Sequence, residues 1–377
     1  MKLDIIATAT FGLEAVVAQE LKELGYGDLK IEHGRVEFKG KERDICLANL
    51  WLRSADRVRL KMAEFEAKTF DQLFAGVKEI PWPDILPVEA RFPVEGKSVK
   101  SQLSSVPACQ SVTKKAIVER MKQKTGIKQF AETGPLYKIE VALLKDIATI
   151  SIDTTGPGLH KRGYREPGST APLKETLAAA LINLARWKPD IPLIDPFCGS
   201  GTIPIEAGLI GTNTAPGLNR NFAGEEWPQL GKKLWKASRD EAFSKINKDR
   251  DYYIMGYDFD PKAVRISRKN SSRAGLEEAI HFQEQELQEV NSRKKYGKII
   301  CNPPYGERLE EVKNAEDLYK KMGKVFNKLD TWSFYVLSAH PGFERFFGKK
   351  ASKKRKLFNG NIRVDYYQFF GPAPPRN

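Results

Sequence analysis

Histidine and cysteine are scarce in this chain, four of each among 377 residues. The histidines (His33, His160, His281 and His340) are scattered, and the cysteines (Cys46, Cys109, Cys198 and Cys301) show no CxxC spacing. That pattern argues against a zinc site and against a disulfide framework, and fits a reduced, cytoplasmic protein. Long apolar runs are also missing. The most apolar stretch, Thr176–Trp187, falls well short of the ~20 residues that a membrane-spanning helix requires, and Asp4 and Glu14 interrupt the apolar opening, which argues against a secretory leader. No repeat or low-complexity tract is present. Acidic residues are outnumbered, 48 against 62 Lys and Arg, which leaves a net charge of +14. With a pI near 9.4, such a field favours polyanions, and with the membrane set aside it favours nucleic acid.

What is present divides into regions, as expected for a length beyond what one core usually serves. The opening reads β-α-β-β-α-β: a strand at Leu3–Ala7, a helix at Leu13–Leu24 closed by Gly25, strands at Asp28–Ile31 and Arg35–Phe38, a helix at Arg43–Arg53 and a strand at Arg57–Phe65. That is the ferredoxin-like order. A connector, "EIPWPDILP", leads to a strand at Val88–Val94, a basic helix at Val106–Lys124 and strands at Tyr137–Leu144 and Ala148–Asp153. From about residue 165 the pattern changes. A helix is expected near Pro172–Trp187, then the strand "IPLIDPF", a glycine-rich turn and a helix. The strand "YYIMGYDFD" follows with the helix Pro261–Ala274, then a strand near Ala279–Phe282 and the run "KIICNPPY". Unbroken apolar strands alternating with helices predict an α/β, doubly wound and mostly parallel sheet covered on both faces. The expected division is therefore 1–65, 66–164 and 165–377.

In such a sheet ligands sit beyond the carboxyl ends of the strands, which places Asp195 and the turn Gly199–Gly201 in a site. The turn lacks the Lys and Ser/Thr of a phosphate loop. It also departs from the dinucleotide fingerprint: Pro204 stands where a third small residue belongs, and the next strand-end carboxylate, Asp258, lies far beyond the ~20 positions expected. An acidic strand end before the glycines suits a cationic ligand. S-adenosylmethionine fits, because its amino group and sulfonium are positive and its ribose diol calls for a carboxylate. Asp195 is assigned to the methionine end and Asp258 to the ribose. Asp260 is explained by capping of the helix that opens at Pro261, and Gln285 and Glu286 are candidates for the adenine amine.

At 301–309 the chain reads "CNPPYGERL". An exocyclic amine on a base is a weak nucleophile, since its lone pair is delocalised into the ring. Methylating it requires two acceptors that hold both N–H bonds and aim the lone pair at the sulfonium methyl. The Asn302 side-chain oxygen and the Pro303 carbonyl supply them. Proline fixes φ and removes a competing N–H, the residue before it is held extended, and Pro304 stiffens the turn further. Tyr305 offers a face on which the target base can stack.

Together these stretches resemble class I methyltransferases that modify amino nitrogens of bases. "DPFCGSGTIPIEA" resembles their cofactor loop, which implies that Pro196, Phe197, Cys198, Gly199, Gly201 and Thr202 line the cofactor along with Asp195. "GYDFDP" resembles their ribose-binding strand end, with Phe259 beside Asp258. "LHKRGYR…APLKETLAAA" resembles the segment around the methionine end and nominates Leu173 and Glu175. The longer "NPPYGERL", with "KRKLFNGNIRVDYYQF", is similar to bacterial 23S rRNA guanine-N2 methyltransferases that carry a THUMP domain. That likeness implies a ferredoxin-like domain, a THUMP region over about 66–164, S-adenosylmethionine as cofactor with S-adenosylhomocysteine as product, and RNA as partner, either 23S rRNA or a large-subunit precursor. Gln285–Glu286 stand where many relatives place an aspartate. The chain also ends after one catalytic domain, where some relatives are fused to a second methyltransferase.

The run "GKKASKKRK" reads as a solvated loop or an RNA-phosphate contact, nominating Lys349, Lys350, Lys353, Lys354 and Arg355. Lys114 and Lys115 on the basic helix are nominated in the same way. Segment 211–250 fits a substrate-facing insertion, a lid or plain packing. Cys198 and Cys301 lie in both motifs, yet buried cysteines are generally inert. The expected function is methyl transfer to the N2 amine of a guanine, in a target that is single-stranded or flipped out. A tRNA guanine methyltransferase, a DNA amino-methyltransferase and an RNA-binding assembly factor remain open alternatives.

Overall fold

The computed structural model describes residues 2–375 apart from 128, 166–172, 248, 250 and 306–308. The first half is one seven-stranded sheet. Strand β1 (Leu3–Ala9), helix α1 (Glu14–Glu23), β2 (Lys30–Glu32), β3 (Arg35–Gly40), α2 (Glu42–Trp51) and β4 (Ala55–Glu66) complete the expected ferredoxin-like order. Helices α3 (Phe70–Glu79) and α4 (Trp82–Ile85) come next, followed by β5 (Val94–Val99), α5 (Val106–Thr125), β6 (Lys138–Leu144) and β7 (Ile147–Asp153). The strand order is β2-β3-β1-β4-β7-β6-β5. The long β4 pairs antiparallel with β7 from Arg59 to Glu66, so the two N-terminal units share a continuous sheet rather than sitting as separate bodies.

Two readings of this half are corrected. Residues around the connector are helical: Thr69 accepts the Gln72 N–H while the Gln72 side chain accepts the Thr69 N–H, a capping box that starts α3. The strand expected at Val88–Val94 begins only at Val94, because Pro93 has no N–H for the ladder. Only an isolated bridge, Arg91 to Leu136, precedes it.

The second half forms another seven-stranded sheet. Its elements are α6 (Glu175–Leu184), β8 (Leu193–Asp195), α7 (Thr202–Gly211), α8 (Lys232–Ser244), β9 (Ile254–Asp258), α9 (Pro261–Arg273), β10 (His281–Glu284), β11 (Lys298–Cys301), α10 (Leu309–Phe326), β12 (Ser333–Ser338), α11 (Phe343–Phe347), β13 (Lys353–Asn359) and β14 (Ile362–Phe369). The order is β10-β9-β8-β11-β12-β14-β13. The first five strands run parallel, and β14 and β13 add antiparallel pairs. The order reverses between β8 and β11, and that is where such sheets open a ligand crevice. Two apolar layers cover it, one under α6 and α7, the other around α10 and α11.

The helix expected from Pro172 runs from Glu175 to Leu184; Pro172 lies outside the described residues. The third strand sits two residues later than expected. The basic run is no simple loop, since α11 ends at Gly348 in the left-handed region and Lys353 opens the edge strand β13.

Segment 211–250 settles into packing. Phe222, Trp227, Leu230 and Trp235 join the core of the N-terminal half. Trp227 donates to the Leu136 carbonyl at 2.9 Å, Tyr137 donates to Gln229 at 2.9 Å, and the Gly224 N–H donates to the Thr154 carbonyl at 2.9 Å. The insertion thus binds the catalytic half to the other two regions. Among the described residues no helix is long and apolar enough to cross a membrane.

Candidate active site

The buried strand β8 delivers Asp195 to the crevice, where its side chain is 1% exposed. One carboxylate oxygen accepts the Phe197 N–H at 3.1 Å. Burial pushes this carboxyl well above the usual range, against the Phe197 hydrogen bond, and the charge of Asp258 pushes it further the same way. A buried acid held at this cost is a place for a cation.

The turn that follows has Gly199 at φ +53° and Gly201 at φ +83°, conformations that side chains with a Cβ disfavour. They are not equivalent. A Cβ on Gly201 would lie 2.9 Å from the Ser267 Cβ and 3.0 Å from the Phe282 ring, whereas a Cβ on Gly199 would meet nothing within 4 Å. Gly199 therefore lines open space that a ligand can occupy. Asn270 on α9 donates to the Ser200 carbonyl at 2.9 Å and braces the turn from behind.

Asp258 ends β9, the neighbour of β8. One oxygen accepts the Gly199 N–H at 2.9 Å and the other accepts the Asp260 N–H at 3.1 Å. Two backbone donors fix the carboxylate and leave its outer lone pairs free for a diol. Asp260 accepts the Lys262 N–H at 2.8 Å and caps α9, as expected. Phe259 is 69% exposed at the rim. The Gln285 N–H donates to the Asp258 carbonyl at 3.0 Å, and its side chain lines a cavity of about 430 Å³ with Tyr253, Tyr257 and Asn291. Glu286 is exposed. Pro196 is buried, Phe197 faces the α10 layer and Cys198 the α7 layer. Burial raises the thiols of Cys198 and Cys301 well above their ordinary range, so both are inert packing groups.

On the third side, Leu173 and Glu175 open α6. Arg165 donates to the Leu173 carbonyl at 2.7 Å and to the Thr202 hydroxyl at 2.6 Å, and lies 3.1 Å from one Glu175 oxygen. The other Glu175 oxygen is buried without a hydrogen-bond partner among the described residues. Burial raises this carboxyl to about 7 although Arg165 pulls it down. An orphaned buried carboxylate oxygen, a second buried acid and an open glycine cradle fit the ammonium, sulfonium and ribose of S-adenosylmethionine.

Asn302–Tyr305 leave the end of β11, which pairs with β8. The Tyr305 hydroxyl donates to the Asn302 side-chain oxygen, so the expected acceptor and the expected stacking ring satisfy each other here. Tyr319 on α10 donates to the Pro304 carbonyl at 2.9 Å, and no local signal in the sequence marks that residue. Arg165, in the quoted "KRGYR", was legible only as part of a motif. Gly306, Glu307 and Arg308 of "NPPYGERL", and Ala171 ahead of Leu173, lie outside the described residues.

The nominated RNA contacts divide. The Lys114 ammonium is taken up by Glu132 at 2.6 Å and by the Phe92 carbonyl at 3.1 Å, so it faces its own domain. Lys115, Lys349 and Lys350 are exposed. Lys354 pairs with Glu344 at 2.8 Å, while Lys353 and Arg355 line a groove of about 980 Å³ with Arg186, Lys188 and Phe370. Among the described residues no group of His, Cys, Asp and Glu is arranged to hold a metal ion.

A doubly wound sheet reversing between β8 and β11, with acidic ends on β8 and β9 and Asn-Pro-Pro-Tyr on β11, defines a class I S-adenosylmethionine-dependent methyltransferase. Comparison with known proteins narrows the class. Profiles of an RlmL ferredoxin-like domain, a THUMP domain and an RMKL-like methyltransferase domain match residues 4–59, 67–153 and 162–368. The chain is 51% identical to YpsC of Bacillus subtilis (strain 168), provisionally named an RNA methyltransferase, over all of this chain and 98% of that one. It is 34% identical to the ribosomal RNA large subunit methyltransferase K/L of Syntrophotalea carbinolica, covering 99% of this chain and 55% of that protein. Among solved structures, SMU.472, a methyltransferase by provisional name, in complex with S-adenosylhomocysteine matches with TM-score 0.93 and 48% identity over 99% of both chains. A Listeria monocytogenes protein, described as a predicted N6-adenine-specific DNA methylase, matches with TM-score 0.94 and 49% identity, over 99% of this chain and 97% of that one. The chain belongs to the RMKL-like methyltransferases with ferredoxin-like and THUMP domains, and is an S-adenosylmethionine-dependent RNA methyltransferase.

Proposed function

We propose that this enzyme methylates the exocyclic N2 amine of a guanine in 23S rRNA, with regions 1–65 and 66–164 gripping RNA and 165–377 carrying the chemistry. The observation that carries the reading is Asn302–Tyr305 at the carboxyl end of β11, beside the acidic end of β8. The large-subunit rRNA enzyme among the relatives supports the substrate.

When bound, S-adenosylmethionine supplies an electrophilic methyl on its sulfonium. Glu175 and Asp195 meet its cationic methionine end beside Leu173, and Asp258 takes the ribose hydroxyls. Phe259, Gln285 and Glu286 border the adenine, and the Gly199 turn lets the cofactor approach the backbone. Asn302 and the Pro303 carbonyl accept the two N–H bonds of the target amine, turning its lone pair toward the methyl. Tyr305 swings off Asn302 and stacks on the base. The amine loses its proton after positive charge develops on nitrogen, so a strong base is not required. Lys115, Lys349, Lys350, Lys353 and Arg355 contribute phosphate contacts.

The test is to incubate RNA from a strain lacking this gene with the purified protein and labelled S-adenosylmethionine, and to identify the labelled nucleoside by mass spectrometry. N2-methylguanosine in large-subunit rRNA is expected. Label confined to tRNA would move the substrate, and N6-methyladenosine or label in DNA alone would overturn the assignment of base or of nucleic acid.

A further inference from the structure

The loop after β1 carries Phe11, 51% exposed. Its ring stacks on His33, with centroids 5.8 Å apart and planes at 26°, and meets Phe358 edge-on at 6.0 Å. His33 is exposed and Phe358 half-buried. These three rings come from two domains, the ferredoxin-like opening and the edge strand β13 of the catalytic sheet.

The arrangement is held firmly. The Glu14 carboxylate accepts the Gly12 N–H at 2.9 Å with one oxygen and the Gly34 N–H at 3.0 Å with the other, tying the Phe11 loop to the His33 turn. The Ala9 N–H donates to the Gly34 carbonyl at 2.9 Å. A Cβ on Gly12 would lie 3.0 Å from the Lys356 carbonyl, so the loop sits directly on β13. Such fixing preorganises aromatic faces that remain half in water.

The position is equally specific. Asn359, next to Phe358, neighbours the Tyr305 hydroxyl. On the other flank Thr10 donates to Asp56 at 3.1 Å, and Asp56 in turn is neighboured by Lys174 and Thr176 at the start of α6, beside the proposed methionine site. The loop therefore lies at the mouth of the candidate active site. Exposed Arg363 stands opposite Phe358 in the β13–β14 register, and Lys356 is exposed two residues before it.

We propose that Phe11, His33 and Phe358 form a stacking platform for an unpaired base of the RNA substrate next to the target nucleotide, with Arg363 and Lys356 at its phosphates. Bases stack on aromatic faces without sequence preference, and cations beside the ring suit the backbone that carries them. The platform would hold the strand splayed while the target enters the Asn302 site. This inference rests on RNA being the substrate and is independent of which base is methylated.

The test uses the full chain and two fluorescent probes, a short oligoadenylate and the same backbone with abasic sites. Loss of base stacking predicts that Phe11→Ala and Phe358→Ala weaken oligoadenylate binding by about tenfold. Binding of the abasic probe should be unchanged, and Phe11→Trp should restore the loss. S-adenosylhomocysteine titration and thermal melts check that the variants remain folded. Equal binding of both probes by the wild type, or a base preference that survives both alanine variants, overturns the platform and leaves the RNA reading standing. Failure of the wild type to bind either probe overturns both.

Discussion

The Tyr305 hydroxyl donates to the side-chain oxygen of Asn302, so the proposed acceptor and the proposed stacking ring hold each other. Under the proposed mechanism a target amine displaces the phenol. Asn302→Ala removes the proposed transition-state acceptor and is expected to slow methyl transfer by about 10²–10³, with cofactor affinity unchanged. Tyr305→Phe keeps the ring and frees the acceptor, and is expected to retain most of the rate at saturating RNA. Single-turnover measurements with labelled cofactor separate the two. Near-wild-type turnover in Asn302→Ala would remove this residue from the chemistry.

The two turn glycines make a second contrast. Both have positive φ, so alanine at either costs about 1–2 kcal/mol of backbone strain. At Gly201 the methyl also collides with Ser267 and Phe282, which adds roughly 1–3 kcal/mol of overpacking. Gly199→Ala meets no protein atom within 4 Å and intrudes only on the space proposed for the cofactor. Thermal melts should show a larger loss for Gly201→Ala. Calorimetric titration with S-adenosylhomocysteine should show Gly199→Ala folded yet weakened in binding. Undiminished affinity in Gly199→Ala would place the cofactor elsewhere.

Those glycines were legible because a strand, an acid and a tight turn are written in consecutive residues. The strand ends that carry Asp195, Asp258 and Asn302 were legible for the same reason, since each lies at the close of an apolar strand and the parallel sheet brings such ends together. What was not legible lies far apart in the chain. Arg165 joins Leu173, Glu175 and Thr202 across the crevice, and nothing in its neighbours' spacing says so. The merging of two N-terminal units through β4 and β7 depends on a partner strand some 90 positions away, and the tryptophans of 211–250 look alike whether they meet substrate or a neighbouring domain. Helix α3 is a different case. Its Thr69–Gln72 capping box is a local signal that the Pro- and Trp-rich stretch beside it obscured.

Glu175 gives the site a pH dependence. Its carboxyl titrates near 7 because burial disfavours the charged form, while Arg165 opposes the rise. An acid with a raised pKa in the folded state holds its proton through the interval from 4.5 to about 7, where the unfolded chain has lost it. Its contribution to stability is therefore lost as pH rises through that interval. The proposed contact with the cofactor's amino group runs the other way, since a positive group selects the ionised carboxylate. Affinity for S-adenosylmethionine should increase between pH 6 and 8, in about the range where this group titrates, and Glu175→Gln should flatten the curve and weaken binding at the alkaline end. An unaltered pH profile in Glu175→Gln would assign the ammonium to another group.

Tyr319 supports the catalytic turn from behind. It is wholly buried, and its hydroxyl donates to the Pro304 carbonyl at 2.9 Å and lies 3.3 Å from the Ser338 hydroxyl at the end of β12. Engaging the Pro304 carbonyl fixes the second proline, one peptide after the carbonyl proposed to accept the target amine. Tyr319→Phe breaks that hold, at a cost of about 0.5–1.5 kcal/mol. A lower melting temperature alone would be the mark of a packing residue. A positioning residue predicts more: well below melting, kcat falls by about tenfold, as expected for a small misplacement of a reacting group, while KM for RNA and for cofactor stays put. Ser338→Ala serves as the control, because it removes the second partner of the hydroxyl and keeps the bond to Pro304. If both variants lose stability together and neither loses kcat, Tyr319 acts through packing and the Pro303 carbonyl is aimed by the proline pair alone.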